Sequence, residues 1–352
     1  SVASRTVASR TVASRTVASR TVASRTVALL AAILCAFSPG CANEEAAPES
    51  FTAVTFNSGT SEGLITPGAP NGGYDLAMAA TSDQFYGDGL AWVPAVEATT
   101  AFFAAVKPDV VAFQEIFHPG DCAAVPAGAR SGFVCETWQE GDPTVAQRVL
   151  GAGYQVMCNP GKPDKCAAVR RSFGSFRGCD ADLCLEGMSG STIPGCGKGA
   201  RVGRATIDRT DGSTLTLVAI HASSGLSTED QQCRVAQFEQ VFVDLGDGEP
   251  AANGTANLVM GDLNTDPGRW SEFEPSAARF ADFVGPGKDF GFLTEVGPDA
   301  PPSYQGLVNI DHVASDVWRG DCRVAGVDAG LEAVIGVVYF DHKPVVCRLE
   351  GR

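Results

Sequence analysis

Histidine and basic residues are scarce in this chain. Its 352 residues include four histidines, and 26 lysines and arginines stand against 41 acids. Five of the arginines lie in an N-terminal repeat, so 21 bases and 41 acids remain from Cys41 onward, a net charge of −20. Such a surface repels polyanions and disfavours non-specific nucleic-acid binding, and no basic stripe interleaved with aromatics compensates for it. A nuclease is not excluded, because bound cations reverse the local sign.

The cysteines and histidines do not form the closely spaced quartets of a zinc site, which argues against structural zinc. Twelve cysteines are present, ten of them after Cys41. An even number in an exported protein favours disulfides. Three candidate pairs are close in sequence or flank paired strands, although sequence leaves the connectivity open: Cys158 with Cys166, Cys179 with Cys184, and Cys322 with Cys347.

The chain also lacks an apolar run of the roughly 18 residues that a membrane span needs. Residues 1–26 repeat a five-residue unit and lead into the shorter apolar run 27–37, which is typical of a secretory signal. Cys41 is either a lipidated N-terminus or part of a leader cleaved after Ala42. We expect a leader over residues 1–42, an acidic tether over 43–50 and, since no linker divides the remainder, one catalytic domain over 51–352.

Apolar, β-rich runs repeatedly end in or adjoin polar groups. The clearest case is Leu258-Val-Met, which ends in Gly261-Asp262-Leu263-Asn264. An acid and an amide two residues apart on a strand point the same way. Taken alone the tetrapeptide also suits an ordinary turn, but the pattern recurs at the other junctions: Asn57, Glu115, His221, Asp311-His312 and Asp341-His342, the last of which follows the apolar, strand-like run 336–340.

In this order, the motifs resemble those of the endonuclease/exonuclease/phosphatase superfamily, which has the deoxyribonuclease I-like fold. The similarity covers about residues 50–350 and rests on these segments: Asn57, Gln114-Glu115, His221, Gly261–Asn264, Asn309-Ile-Asp311 and Asp341-His-Lys-Pro-Val345. The resemblance implies an α/β four-layer sandwich, with two mixed β-sheets packed face to face and helices outside.

The resemblance also implies roles for the site residues in a metal-dependent phosphoester hydrolase. Glu115, with Asn57 and Asp341, would bind the metal, and oxygen ligands favour Mg²⁺, Mn²⁺ or Ca²⁺ over zinc. Asp262 would orient or deprotonate the attacking water, and Asn264 would hold a phosphoryl oxygen or a second cation.

Two histidines, His221 and His342, would act on the phosphoryl group. His342, held by Asp311, would be the general base or a phosphate contact. His221 would stabilise the transition state or assist the leaving group, with a hydrogen-bonded core histidine as the alternative. His118 is interpreted as a loop residue and His312 as structural.

The function favoured by these features is an extracytoplasmic phosphodiesterase, monomeric, either secreted or anchored through Cys41. A lipid head group or small diester is the first choice of substrate, partly because Gly195–Gly199 faintly resembles secreted bacterial sphingomyelinases. The alternatives are an extracellular endonuclease acting on nucleic acid, a phosphomonoesterase, and an inactive binding module.

Helices are predicted between the strands. Val93 to Val106 forms one helix, and Asp142-Pro143 would cap and start another. Thr228 and Gln231 would form a capping box for a helix with its apolar face at Val235, Phe238, Phe242 and Leu245. Residues 155–200 are interpreted as disulfide-pinned loops bordering the site, in which Arg170, Arg171 and Arg177 form a solvated charge run or, as the alternative, face an anionic substrate.

Overall fold

The computed structural model describes residues 50–60, 64–65 and 72–351, so the expectations for the repeat, the leader and Cys41 lie outside the described residues. The strands in this part are β1 Ser50–Asn57, β2 Val110–Gln114, β3 Tyr154–Asn159, β4 Lys162–Arg170, β5 Gly174–Phe176, β6 Leu183–Cys184, β7 Val202–Arg209, β8 Thr214–His221, β9 Asn257–Asp262, β10 Gly291–Phe292, β11 Asp311–Ser315, β12 Trp318–Val324 and β13 Val345–Gly351. The α-helices are α1 Leu76–Tyr86, α2 Val93–Val106, α3 Val145–Leu150, α4 Thr228–Phe242, α5 Pro267–Trp270 and α6 Pro275–Ala281.

The strands form two mixed sheets. The first sheet has the order β12-β13-β1-β2-β4-β3-β6, and the second has the order β10-β11-β9-β8-β7-β5. Strands β1 and β2 run parallel in the first sheet, as β8 and β9 do in the second, whereas the other long neighbours are antiparallel. Parallel neighbours end at the same edge of a sheet, so the residues after β1 and β2, and those after β8 and β9, are brought together.

Side-chain alternation divides each sheet between two apolar cores. Ala53 and Ala112 of the first sheet pack with Leu217 and Met260 of the second, which shows that these faces meet. Their sequence neighbours point the opposite way because successive side chains of a strand alternate. The two sheets are therefore packed face to face around a shared core.

Helices cover the outer faces of both sheets. Phe56 and Phe113 of the first sheet pack with residues of α1, α2 and α3, including Phe103. On the other side, Val218 and Val259 of the second sheet pack with α4 and α6. The four-layer sandwich expected from the motif set is confirmed.

The predicted helices are present, but two of their starts were misplaced. Helix α2 matches the prediction. Helix α3 is capped by Thr144 rather than by Asp142, through a reciprocal pair with Gln147. The box of α4 is formed by Ser227 and Asp230, one residue earlier than predicted, because the Ser227 hydroxyl accepts from the Asp230 amide and the Asp230 carboxylate accepts in return.

Two regions differ from the expected structure. Residues 155–200 lie mostly outside strands, as expected, but they also include most of β3 and all of β4, β5 and β6. Conversely, the apolar run 336–340 is not a strand. Tyr339 is buried there, and its hydroxyl accepts from the amides of Ala91 and Trp92, 3.3 Å each, so it is held by the core beneath α2 rather than by a neighbouring strand.

Five disulfides join described residues. Three are the candidate pairs Cys158–Cys166, Cys179–Cys184 and Cys322–Cys347, and the others are Cys122–Cys135 and Cys196–Cys233. Such a density is typical of proteins in oxidising compartments. In the described part of the chain, the helices are too short or too polar to cross a bilayer.

Candidate active site

The register of the second sheet aligns three of the predicted site residues side by side. His221 at the end of β8 pairs with Asp262 at the end of β9, and Asp262 pairs with Asp311 at the start of β11. All three have the same alternation as residues of the inter-sheet core, namely Leu217, Met260 and Val313. Their side chains therefore project into the space between the sheets, at its open edge.

The first sheet supplies the opposite wall of the same opening. Asn57 ends β1 on the inward-facing alternation of Ala53. Glu115 has the alternation of Phe113, which faces the helices, but its φ of 56° turns the chain immediately after β2. This left-handed backbone directs the Glu115 carboxylate to Gly59, where a Cβ would lie 1.9 Å from Oε2. Glycine at position 59 is thus required by the approach of Glu115.

Asp262 lies at the centre of the cluster. Its Oδ2 accepts from Asn57 Nδ2 at 3.0 Å and from Asn264 Nδ2 at 3.1 Å, while Oδ1 accepts from the Asn264 amide at 2.7 Å. The same Oδ2 is 3.6 Å from His221 Nε2 and 3.7 Å from His342 Nε2. Asn264 and three side chains from distant parts of the sequence therefore converge on one buried carboxylate oxygen.

His342 is held on both sides. Its Nδ1 is 2.7 Å from Asp311 Oδ2, and its ring packs on Tyr304 with the centroids 4.6 Å apart. Burial opposes a charge on this imidazole, but the carboxylates of Asp311 and Asp262 outweigh it and raise the pKa of His342 to about 10. At neutral pH both of its ring nitrogens therefore carry protons and act as donors.

His221 has the opposite electrostatic character. Burial, together with the positive charges of Lys165 and Arg201, lowers its pKa well below the ordinary value, so the ring is neutral at physiological pH. Its Nε2 faces Glu115 Oε1 at 3.5 Å as well as Asp262. A neutral ring that keeps its proton on Nε2 donates towards both carboxylates and towards any anion placed between them.

Burial and neighbouring negative charges raise the pKa values of the carboxylates in the site. Burial raises the pKa of Asp262, and the neighbouring charge of Asp311 adds to this effect. The Glu115 side chain is 31% exposed, yet protein surrounds most of it, and desolvation followed by the charge of Asp341 raises its pKa to about 7. Mutually repelling carboxylates of this kind are stabilised by a bound cation.

The donor set suits a hard divalent cation. Asn57 Oδ1 and Glu115 Oε2 both border Gly59, whose carbonyl accepts from the Asp341 amide at 3.3 Å. Asp341 Oδ1 is buried and has no hydrogen-bond partner among the described residues, which is expected of an oxygen atom that ligates a cation. Asp262, Asp311 and His342 also bring one ligand atom each to within 4.8 Å of one another. The set around Gly59 offers oxygen atoms, which a hard cation prefers, whereas His342 offers an imidazole nitrogen and its Nδ1 already contacts Asp311.

The structure brings together all eight residues singled out for chemistry in the sequence: Asn57, Glu115, His221, Asp262, Asn264, Asp311, Asp341 and His342. The other two histidines lie apart. His312 Nδ1 bonds Thr294 Oγ1 and its Nε2 faces the Asn309 carbonyl, 2.9 Å each, so it is a satisfied core residue. His118 precedes a short 3₁₀ helix.

Sequence reasoning missed two residues next to this cluster. Lys165 is almost fully buried in β4, and its Nζ bonds Asp164 Oδ2 at 2.6 Å while its charge acts on His221 and Glu115. The signal was present, since Lys165 adjoins the apolar run Cys166–Val169 just as the other site residues adjoin theirs. Tyr304 carries no comparable signal, because only the folded chain places it on His342.

Comparison with known proteins supports the fold. No protein-family model and no curated protein matches this sequence. Among solved structures, the chain is similar to an endonuclease/exonuclease/phosphatase from Beutenbergia cavernae, with 16% identity, a TM-score of 0.51, and coverage of 86% of this chain and 72% of that one. It is also similar to a conserved protein of unknown function from Enterococcus faecalis, with 13% identity, a TM-score of 0.50, and coverage of 86% and 100% respectively.

Identities this low establish architecture rather than activity. Two face-to-face mixed sheets, outer helices and a polar cluster at the shared strand edge agree with the motif order in the sequence. The chain therefore has the deoxyribonuclease I-like fold.

Proposed function

We propose that this protein is an exported, divalent-metal-dependent phosphoester hydrolase that acts as a phosphodiesterase. The observation that carries the proposal is the convergence of Asn57, Asn264, His221 and His342 on the single Asp262 Oδ2. The amide donors hold the carboxylate in place, and a charged and a neutral imidazole flank it. This arrangement suits the attack of water on an anionic phosphoryl group.

Asn57, Glu115 and Asp341 would hold the cation, with Mg²⁺ first and Mn²⁺ or Ca²⁺ as alternatives. When bound, the cation supplies positive charge that neutralises a phosphoryl oxygen. This assignment is supported by the oxygen donors around Gly59 and by the unpartnered Asp341 Oδ1.

Asp262 would orient the attacking water and accept its proton. The hydrogen bonds from Asn57 and Asn264 fix the carboxylate, so little reorganisation is needed when the water binds. Its raised pKa makes it a stronger base than an exposed aspartate. Asn264, with φ of 49°, also bonds the Ala222 carbonyl at 3.0 Å, which anchors this corner to the segment after His221.

The two histidines would divide the remaining work. His342, charged and held by Asp311, would donate from Nε2 to a phosphoryl oxygen, which favours the phosphate-contact role over the general-base role. Neutral His221 would donate to the charge that develops on the equatorial or leaving oxygen. Loss of either hydrogen-bond donor would raise the activation barrier for hydrolysis without disrupting the packing of the core.

The acidic surface and the disulfides shape the expected substrate and location. A net charge of −20 from Cys41 onward favours a small or lipid-borne diester over a polyanion. The five disulfides support an extracytoplasmic location, with attachment through Cys41 or free secretion as the two forms, and we propose a monomer.

A substrate panel tests this proposal. Purified protein would be assayed against bis(p-nitrophenyl) phosphate, p-nitrophenyl phosphate, sphingomyelin, inositol phosphates and plasmid DNA with Mg²⁺, Mn²⁺ or Ca²⁺. We expect diester hydrolysis that a chelator abolishes and added metal restores, and that the Asp262→Asn variant lacks at unchanged melting temperature. Turnover that survives chelation, or equal turnover by Asp262→Asn, would refute it. Preference for DNA or for the monoester would support the nuclease or the phosphomonoesterase instead.

A further inference from the structure

A cavity of about 320 Å³ opens beside the catalytic cluster and takes no part in the chemistry described above. Asp341, His342 and Lys343 form one end of it. Its volume lies near the lower end of the roughly 300–1,000 Å³ of small-molecule sites. At about 30 Å³ per water, it equals some ten water molecules, which suits a compact group rather than a long chain.

The walls of this cavity are apolar over most of their area. The described residues on the apolar side are Leu64, Ala325, Ala333, Val334, Ile335, Val337, Val338, Phe340 and Pro344. Among the described lining residues, the polar side chains are Gln305, Asp341, His342 and Lys343, which belong to or adjoin the catalytic cluster. A bound ligand would therefore have its charged end next to the catalytic cluster and its apolar end further from it.

The apolar wall is firmly supported. Val334, Ile335, Val337 and Phe340 pack against the core between the first sheet and its helices. Within the same segment, buried Tyr339 stacks on Trp92 with centroids 5.5 Å apart. The packing of Tyr339 and its neighbours therefore fixes the apolar wall of the cavity.

We propose that this cavity is a subsite for an uncharged apolar ester group of the substrate, a short alkyl or a single aryl group bonded to the phosphorus. The inference rests on the proposed phosphodiesterase function and specifies its substrate class. The phosphoryl anion would lie between His342 and Lys343, which both line the cavity, and the apolar group would extend along Val334, Val337 and Val338.

Sugars and nucleobases fit this wall poorly. Their hydroxyls and base edges would be buried against valine, isoleucine and alanine without hydrogen-bond partners, at a cost of roughly 1–3 kcal/mol for each group. An aryl or alkyl group loses nothing on leaving water and gains the contact area. The cavity therefore selects for an apolar diester and against inositol phosphates and polynucleotides.

Phosphonates isolate this subsite from catalysis, because their P–C bond is not hydrolysed. Methylphosphonate and phenylphosphonate share the anionic end and differ only in the group that would enter the cavity. With Mg²⁺ present, we expect phenylphosphonate to bind at least about tenfold more tightly than methylphosphonate, by calorimetry and as an inhibitor of diester hydrolysis.

Two cavity variants and one control locate the effect. Val338→Asn and Ala333→Phe change exposed lining residues, so folding should be retained, and each should reduce the preference for phenylphosphonate to within about twofold. Val338 is 47% exposed, and the matched control is Val243→Asn, a valine 50% exposed beyond α4, which should keep the full preference.

Equal affinities for the two phosphonates in the unaltered protein, or a preference that survives both cavity variants, would overturn the subsite. Calorimetry separates this outcome from failure of the proposed function. A protein that prefers phenylphosphonate but hydrolyses no diester with any metal would retain the subsite and refute the phosphodiesterase.

Discussion

His342 Nδ1 lies 2.7 Å from Asp311 Oδ2, and this contact fixes the ring so that Nε2 faces Asp262. Asp311 reaches His342 from the start of β11, whereas His342 precedes β13 of the other sheet. The pair therefore joins the two sheets at the catalytic edge, and its function can be separated from its contribution to packing.

Asp311→Asn should lower turnover by about 100-fold or more while the melting temperature changes little. The amide keeps the size of the carboxylate but removes the charge that holds His342 protonated. Steady-state kinetics and thermal unfolding of the variant check this. Asp321→Asn, at an exposed position of β12, should leave both measurements unchanged, and equal activity of the two variants would contradict the role of the pair.

His221→Ala and His312→Ala should have opposite effects. The first removes a donor from the phosphoryl site and should reduce turnover by orders of magnitude with a nearly unchanged melting temperature. The second empties a core position and leaves Thr294 and the Asn309 carbonyl unpaired, so it should cost about 2–4 kcal/mol of unfolding free energy. Denaturant unfolding and activity per folded molecule distinguish them. A large loss of stability in His221→Ala would mark that residue as a core histidine.

Gly59→Ala should impair metal binding more than folding. The added Cβ would lie 1.9 Å from Glu115 Oε2, so the carboxylate must move away from the proposed cation. We expect the Mg²⁺ concentration for half-maximal activity to rise by about tenfold or more. Gly128→Ala is the control, because a Cβ there meets no atom within 4 Å. Identical metal dependence in both variants would argue against Glu115 as a ligand.

Arg234→Met should destabilise the fold by about 3–5 kcal/mol. The guanidinium is fully buried and bonds the Glu274 carboxylate at 2.5 Å and the Ser223 carbonyl at 2.8 Å, so its loss leaves a buried acid without a counter-charge. Arg177→Met removes an exposed ion pair with Asp208 and should leave the urea midpoint nearly unchanged. Urea unfolding of both variants measures the difference, and similar midpoints would show that the buried pair contributes little.

Much of the candidate site was predicted from sequence because it follows strand ends. A strand with apolar alternation that ends in Asp262 or His221 identifies both the element and the residue exposed at its end. Parallel pairing then brings such ends together, which is why Asn57, His221 and Asp262 were found without a structure. Lys165 was missed because its strand was interpreted as part of a loop region.

Some boundaries could not be predicted because two local signals competed. Asp142-Pro143 and Thr144-Val145 both resemble a helix start, and the side chain of Thr144 prevails by pairing with Gln147. The run 336–340 has strand composition, yet it does not form a strand, and Tyr339 is buried against Trp92 instead. In both cases the amino-acid composition does not show which of the two competing structures will form.

The sequence alone determined the identity of the chemical groups, because alternation and strand ends are local properties of the chain, and the resemblance of its motif order to a known superfamily implied the fold. Tertiary structure decided which nitrogen faces which oxygen, the left-handed turn that redirects Glu115, the stacking of Tyr304 on His342 and the apolar cavity beside them. These depend on segments up to 285 residues apart, such as Asn57 and His342, and only packing of the two sheets sets their distance.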